Sequence, residues 1–398
     1  MSFDIALSGI QSINQQLNST SNNIANAGTY GFKSSRANFS AMYAGSRATG
    51  TEIGSVTQSM SLNGGVLNTG RALDAAIDGR GYFVARDAQN TMSYSRVGIF
   101  SASNDGKLID SNGRLVQGYA AVKGSTTLGT MGDMLIPTGQ IPAVASTKLA
   151  YAANMSSEWT IKTVPFDKTS ELSYNSAKSS IIYDSLGAKH SLGQYFVKTA
   201  AGVDVHYTLD NVDVTLPGPA PLVTSMAFNT SGKLTMTAPV TLALGTPPGA
   251  APLSIAIDYT GTTQFAGEST TSTDRSDGYA SGTYTGVELA DDGSVVAKYT
   301  NGQKQSIGVI ALATFPDEGA LTAVNDTSWV ASTTSGTAIY DRPGVGMAGK
   351  LVTSSLEQSN VDITSELVGL MTSQRNYQAN SKVISTENAM LQSLMQAL

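Results

Sequence analysis

His190 and His206 are the only imidazoles in a chain of 398 residues that contains no cysteine. Thiolate chemistry, disulfides and cysteine-held metals are therefore excluded, and a zinc or iron centre built on imidazole has almost nothing to draw on. What remains for catalysis is a serine-hydrolase arrangement. His190 lies in YDSLGAKHSLGQYF beside Asp184, Ser185 and Ser191, so acid, nucleophile and base occur close together. Neither serine stands in a Gly-x-Ser-x-Gly elbow, and Tyr-Asp-Ser-Leu-Gly reads more simply as a hairpin turn. His206, in the alternating run VDVHYTL, reads as a strand residue. The Gly-x-Gly of GRGYF at 79–83 leads into a strand and not a helix, so it is no phosphate cradle. In NDGKLIDSNGRLVQGY an acid-or-amide, Gly, base, Leu pattern repeats at Asp105 and Asn112, but an EF-hand's ligand spacing and closing Glu are missing. These residues assign no catalytic, cofactor-binding or metal-binding position, and no enzymatic activity is expected.

Composition points to packing. The 24 basic and 30 acidic residues leave a net charge of −6, and without a basic run nucleic acid is not an expected partner. Only 14% of residues are charged, well below the usual proportion of about a quarter. The surface is thus largely neutral, rich in Ser and Thr, and suited to contact with many copies of itself. The N-terminal stretch MSFDIALSGIQSINQQLNSTSNNIAN has no basic start and no continuous apolar run, and nothing approaches the roughly 20 apolar residues of a membrane helix. Neither membrane insertion nor an ordinary cleaved signal peptide is expected.

Spacing of apolar residues predicts a helix at each end. Phe3, Ile10, Leu17 and Ile24 recur every seven residues, with Ala6, Ile13 and Thr20 as a second line. At the other end Ile363, Leu370, Tyr377, Ile384, Leu391 and Leu398 recur likewise, with Leu367, Gln374, Ser381, Asn388 and Met395 as the second line. Six heptads span about 54 Å, and Asp362 is placed to cap them. A single apolar stripe also suits a helix packed on its own domain. The polar second line of the C-terminal helix instead argues for ends that are labile in the monomer and buried when partners arrive.

Between the ends the pattern is β. Asp78-Gly79, Asp105-Gly106, Asn112-Gly113, Asp277-Gly278, Asp292-Gly293 and Asn301-Gly302 are the dipeptides of tight hairpins. Proline clusters in LPGPAPL at 216–222 and GTPPGAAPL at 245–253 mark 146–279 as an insertion. The expected fold is multidomain and mainly β, with β-rich domains nested one in another and terminal helices forming a coiled-coil-like bundle. Its parts are a helical domain of 1–27 and 363–398, linkers at 28–70 and 351–362, a discontinuous β-domain of 71–145 and 280–350, and an inserted β-domain of 146–279. In the first linker Phe39 and Tyr43 stand four apart, as on one face of a helical turn. They serve either as a local anchor or as a docking peptide read while the chain is unfolded.

Two stretches also carry a resemblance. Ser21-Asn22-Asn23-Ile24-Ala25-Asn26, followed by Thr29-Tyr30-Gly31-Phe32-Lys33, resembles the N-terminal signature of the bacterial flagellar rod and hook proteins. LEQSNVDITSELVGLMTSQRNYQANSKVISTENAML resembles their C-terminal signature, most specifically at Asn360, Asp362, Gln374, Arg375 and Asn380. IDGRGYF at 77–83 and YSRVGIFSASNDGKLIDSNGRLVQGY at 94–119 are similar to the shared β-domain, and IYDSLGAKHSLGQYFVK, TTQFAG and YTNGQKQSIGVIALATF to the hook branch. The resemblance implies a structural subunit of a helical homopolymer that joins rod to filament as a universal joint, with the terminal helices innermost and the insertion outermost. The partners it implies are further copies of the chain, a distal rod protein, a hook cap protein, a hook–filament junction protein and the flagellar type III export gate, which Phe39 and Tyr43 would engage. No cofactor is implied, and the place is the extracellular hook of the basal body. A distal rod or other axial protein is the alternative within the family. A β-rich adhesin, with Trp159 and Trp329 for stacking on a glycan, would leave the terminal heptads unexplained.

Overall fold

The computed structural model describes residues 2–122, 127–214, 222–236 and 238–397. Most of LPGPAPL and the seam position Leu398 lie outside the described residues. The chain divides into two compact units: 1–138 with 285–298 and 304–398, and 139–284 with 299–303. The model is mainly β with a helix at each end.

In the first unit, helix α1 spans Ser2–Ala25 and helix α2 spans Ile363–Ala397. Asp362 begins α2, its carboxylate accepting from the Thr364 amide at 3.0 Å and the Ser365 hydroxyl at 2.7 Å. The helices run antiparallel: Asn23 meets Glu366, and Gly9 faces Asn380. Continuing that register brings the start of α1 beside residue 387, so the last turns of α2 outrun it by roughly 15 Å at 1.5 Å per residue.

Residues 28–70, expected as a linker, are ordered over most of their length. Strand β1, Ser35–Ala44, pairs antiparallel with strand β2, Arg47–Gln58, in a long hairpin lying on α1. Phe39 and Tyr43 therefore sit on a strand and not on a helical turn. Spacing by four serves both periods, and pairing with β2 decides between them. The second expected linker, 351–362, also holds strands: Lys350–Thr353 pairs with Ala75–Asp78, and Ser355–Glu357 with Val66–Asn68.

The remainder of this unit is a large sheet in which strands 294–299, 304–310, 115–121, 82–86, 92–95, 328–330 and 322–324 lie side by side in that order. Alternation buries Tyr82, Val84, Tyr94, Phe315 and Trp329 together with Met60, and Trp329 Nε1–H donates to Gln58 Oε1 at 2.8 Å, tying the hairpin's base to this core. Successive hairpins turn at Asp105-Gly106 and Asn112-Gly113. Asp78-Gly79 closes no hairpin, because the 75–78 strand pairs with 350–353.

The second unit carries its own core. Leu149, Tyr151, Ile182, Leu192, Phe196, Val205, Tyr207, Leu242, Ile255 and Ile257 meet between two sheets. One holds strands 240–245, 253–258, 148–153 and 271–276, and the other is built on 176–183, 189–198 and 203–209. Asp277-Gly278 is likewise no hairpin turn: the Asp277 carboxylate accepts from the Thr147 and Lys148 amides at 2.8 and 2.9 Å, closing the unit where its chain enters and leaves.

Candidate assembly surface and its anchor

Two amides of the terminal signatures act as clamps. Asn23 is buried; its Nδ2–H donates to the Ser35 carbonyl and to Glu366 Oε1, each at 2.8 Å, while its Oδ1 accepts from the Ser35 amide at 2.9 Å. One side chain thus joins α1, β1 and α2, and no hydrophobic residue could meet all three partners. Asn360 does the same at the start of α2: it accepts from the Ser34 amide at 2.7 Å and donates to the Ser59 and Leu62 carbonyls at 3.0 Å. Asn26 turns inward on its own helix end, donating to Asn22 and accepting from Thr29.

Beneath these clamps lies a buried ionic cluster. Lys33 Nζ donates to Glu357 Oε1 at 2.8 Å and to the Leu62 carbonyl at 2.7 Å, and Arg96 reaches Glu357 Oε2 at 3.2 Å. The Gly64 amide adds a third donor to Glu357, and Arg96 also stands over the Tyr82 ring. Burial lowers the Lys33 pKa, against the pull of the Glu357 carboxylate beside it. Gly31 fits the corner: its φ is +67°, its amide donates to the Glu357 carbonyl at 2.8 Å, and a Cβ there would meet Arg96 backbone at 3.0 Å. Phe32 lies half-buried at the same corner, its carbonyl accepting from the Asn360 amide.

Between α1 and α2 the contact is small and polar. On α1 the line of Ala6, Ile13 and Thr20 is buried, extended by Gly9, Ser12 and Asn23, whereas Ile10, Leu17 and Ile24 are only half-buried and Phe3 is exposed. On α2 the face toward α1 is Glu366, Leu370, Ser373, Asn380, Ile384 and Glu387. The second line of α2 is therefore one residue earlier than the spacing alone indicated: Leu367, Gln374, Ser381, Asn388 and Met395 are exposed. Close approach explains the choice, because a Cβ on Gly9 would lie 3.2 Å from the Asn380 amide, leaving no room there for large side chains. Ile363, Leu367, Met371, Tyr377, Met390, Leu391, Leu394 and Met395 turn outward instead, and Gln374 and Arg375 are exposed among them. Phe39 lines a groove of about 620 Å³ with Ile5, Gly9, Ile13 and Asn380, and Tyr43 is exposed farther along the hairpin.

His190 is no hydrolase base. Its Nδ1 lies 2.6 Å from Asp210 Oδ2 and its Nε2 3.4 Å from Asp184 Oδ2, so both ring nitrogens face carboxylates and neither is left for a serine. Asp184 meanwhile accepts from the Leu186 and Ala188 amides at 2.9 and 2.8 Å, closing the hairpin turn. His206 stacks on Phe166 with centroids 4.0 Å apart, and burial lowers its pKa. Among the described residues no cluster of acidic and histidine side chains could hold a metal, and no helix is long and apolar enough to cross a membrane.

Buried amide clamps thus fix the helix ends, and the helices turn large apolar side chains outward. Family models match three stretches of the chain. Residues 76–151 match the flagellar hook protein FlgE/F/G D1 domain, 153–279 the flagellar basal body protein FlaE D2 domain, and 352–397 the flagellar basal body rod FlgEFG protein C-terminal. These define an axial structural protein of the bacterial flagellum. The flagellar hook protein FlgE of Salmonella typhimurium is 34% identical over 99% of both chains, and that of Escherichia coli 34% identical over the same shares. The FlgE of Treponema pallidum is 28% identical over 98% of this chain and 97% of its own. The chain belongs to the flagellar hook protein FlgE family. Its fold is similar to the crystal structure of Helicobacter pylori flagellar hook protein FlgE2, with a TM-score of 0.53 over 73% of this chain and 100% of that one, at 13% identity.

Glu357, Arg96 and Gly64 escaped the sequence reading. A charged residue inside YSRVGIF, an otherwise apolar strand pattern, was the one available signal.

Proposed function

We propose that this chain is the subunit of a flagellar hook, stacking helically with its own copies into a short curved tube that carries torque as a universal joint. The observation that supports this most is full-length likeness to FlgE in a chain whose terminal helices turn large apolar side chains outward. In this reading the exposed Phe3, Ile363, Leu367, Tyr377 and Leu391 supply the seams between copies, the half-buried Ile10, Leu17 and Ile24 flank them, and Leu370 and Ile384 face α1 within the chain. The helices form the inner tube, the large sheet of the first unit the middle layer, and the second unit the outer layer. Neutral, Ser- and Thr-rich outer surfaces let neighbours slide as the tube turns, whereas buried ion pairs between copies would cost several kcal/mol to break.

The remaining partners follow the same reading. The tube meets a distal rod protein at one end and hook cap and junction proteins at the other, outside the cell. The export gate reads Phe39 and Tyr43 on the unfolded chain. Phe39 and Tyr43 are exposed in the folded unit, so Phe39→Ala with Tyr43→Ala should leave folding intact and lower secretion severalfold. Secretion at the normal level would return the pair to a local anchor. The reading as a whole is tested by producing this chain in a flagellated strain lacking its own hook protein. Restored hooks and motility are expected, and export without hooks would contradict it.

A further inference from the structure

The methionines of this chain span a wide range of exposure, from the β cores to the surface. Met60, Met134, Met155 and Met226 are at most 3% exposed inside the β cores, whereas Met371, Met390 and Met395 on α2 are 51%, 65% and 78% exposed. Met390 and Met395 project, with Leu391 and Leu394, from the turns by which α2 outruns α1. No charged residue occurs from 388 to 397, so Met390, Leu391, Leu394 and Met395 make its largest contribution to a neighbour apolar.

Resting on the hook-subunit reading, we propose that Met371, Met390 and Met395 form an oxidation site of the unassembled chain. A peroxide converts them to sulfoxides, which block assembly while both β units stay folded. The thioether sulfur gives an electron pair to one peroxide oxygen: the O–O bond breaks, an S–O bond forms, and the second oxygen leaves in water. Sulfur is oxidised by two electrons and the peroxide reduced. The product replaces an apolar group by a strong dipole where copies must exclude water. Burial between copies would then protect the same sulfurs, so the free chain is the sensitive state. Oxidation is reversible by methionine sulfoxide reductases, which makes the block a switch.

The test treats purified full-length chain with hydrogen peroxide, maps the sulfoxides by peptide mass spectrometry, and follows polymer yield in kosmotropic salt by sedimentation and electron microscopy. Met371, Met390 and Met395 should oxidise well before Met60, Met134, Met155 and Met226. Polymer yield should fall about tenfold, the factor that corresponds to roughly 1.4 kcal/mol, and the circular dichroism of the β units should stay unchanged. The variant Met371→Leu, Met390→Leu, Met395→Leu, which conserves volume, should polymerise after peroxide. Met42→Leu with Met347→Leu, which removes exposed methionines elsewhere, should remain sensitive. Sulfoxide reductases should restore the yield of oxidised wild type. Unchanged yield after oxidation, equal loss in the α2 triple variant, or early oxidation of the buried methionines overturns the proposal. Failure of untreated wild type to polymerise contradicts the hook reading instead, and the order of oxidation still decides the site.

Discussion

Glu357 is reached by Lys33, Arg96 and the amide of Gly64, and neutralising it would leave two buried cations without a counterion. Glu357→Gln should therefore destabilise the first unit by about 3–5 kcal/mol, read as a lower urea midpoint with the second unit's transition unmoved. A change below about 1 kcal/mol would mean the cluster is as weak as a surface pair. Such a junction is hard to read in a sequence, because Arg96 and Glu357 are 261 residues apart and neither sits in a motif with a chemical rule. His190 poses a separate question of sign. The hydrogen bond to Asp210 raises its pKa above 6.5, with burial opposing and Asp184 adding to the rise. The imidazolium's stabilisation is thus fully present below pH 6.5 and is lost as pH rises through the raised value. Burial alone would raise the Asp210 pKa, but His190 and the Ser191 amide bring it below 3.8, so that carboxylate's contribution disappears only in stronger acid. Denaturation of the second unit should show wild type losing stability from pH 6 to 9 relative to His190→Ala. Parallel pH curves would contradict the assignment.

At the level of elements, the helices were legible because a repeat of seven shows in any large apolar residue. Which face each helix gives to its partner was less so: Gly9, Ser12, Ser373 and Asn380 carry no hydrophobic signal, and close approach is recognised only once both backbones are placed. The hairpin β1–β2 was missed because a polar, Gly-rich stretch lacks the alternation of a half-buried strand, and Phe39 and Tyr43 fit either period. The clamps at Asn23 and Asn360 also refine the expectation of labile ends. α1 is tied to β1 and β2 through Ser12 and Asn23, while residues 388–396 near the end of α2 are exposed among the described residues. Amide exchange of the monomer should therefore be fastest in 388–397, intermediate in α1, and slowest in strands such as 82–86 and 192–197. Protection of 388–397 equal to that of the core strands would show that the end of α2 is covered without another copy.

For the whole molecule, low charge and missing cysteine, which in the sequence made nucleic acid and cysteine-held metals unexpected, suit a chain that packs against its own copies. The mainly β fold with terminal helices was readable from turn dipeptides and heptads, since both rest on local rules. The outward faces of the helices were not, because an exposed Leu367 or Leu394 is recognised only once the backbone of its own unit is placed. The most direct measurement is electron cryomicroscopy of polymer grown from the purified full-length chain. The account predicts a hollow curved tube with α1 and α2 innermost, Leu367, Leu391 and Leu394 buried between copies, and the second unit outermost. A polymer joined through the β units with the helices facing solvent, or a chain that stays monomeric, would contradict it.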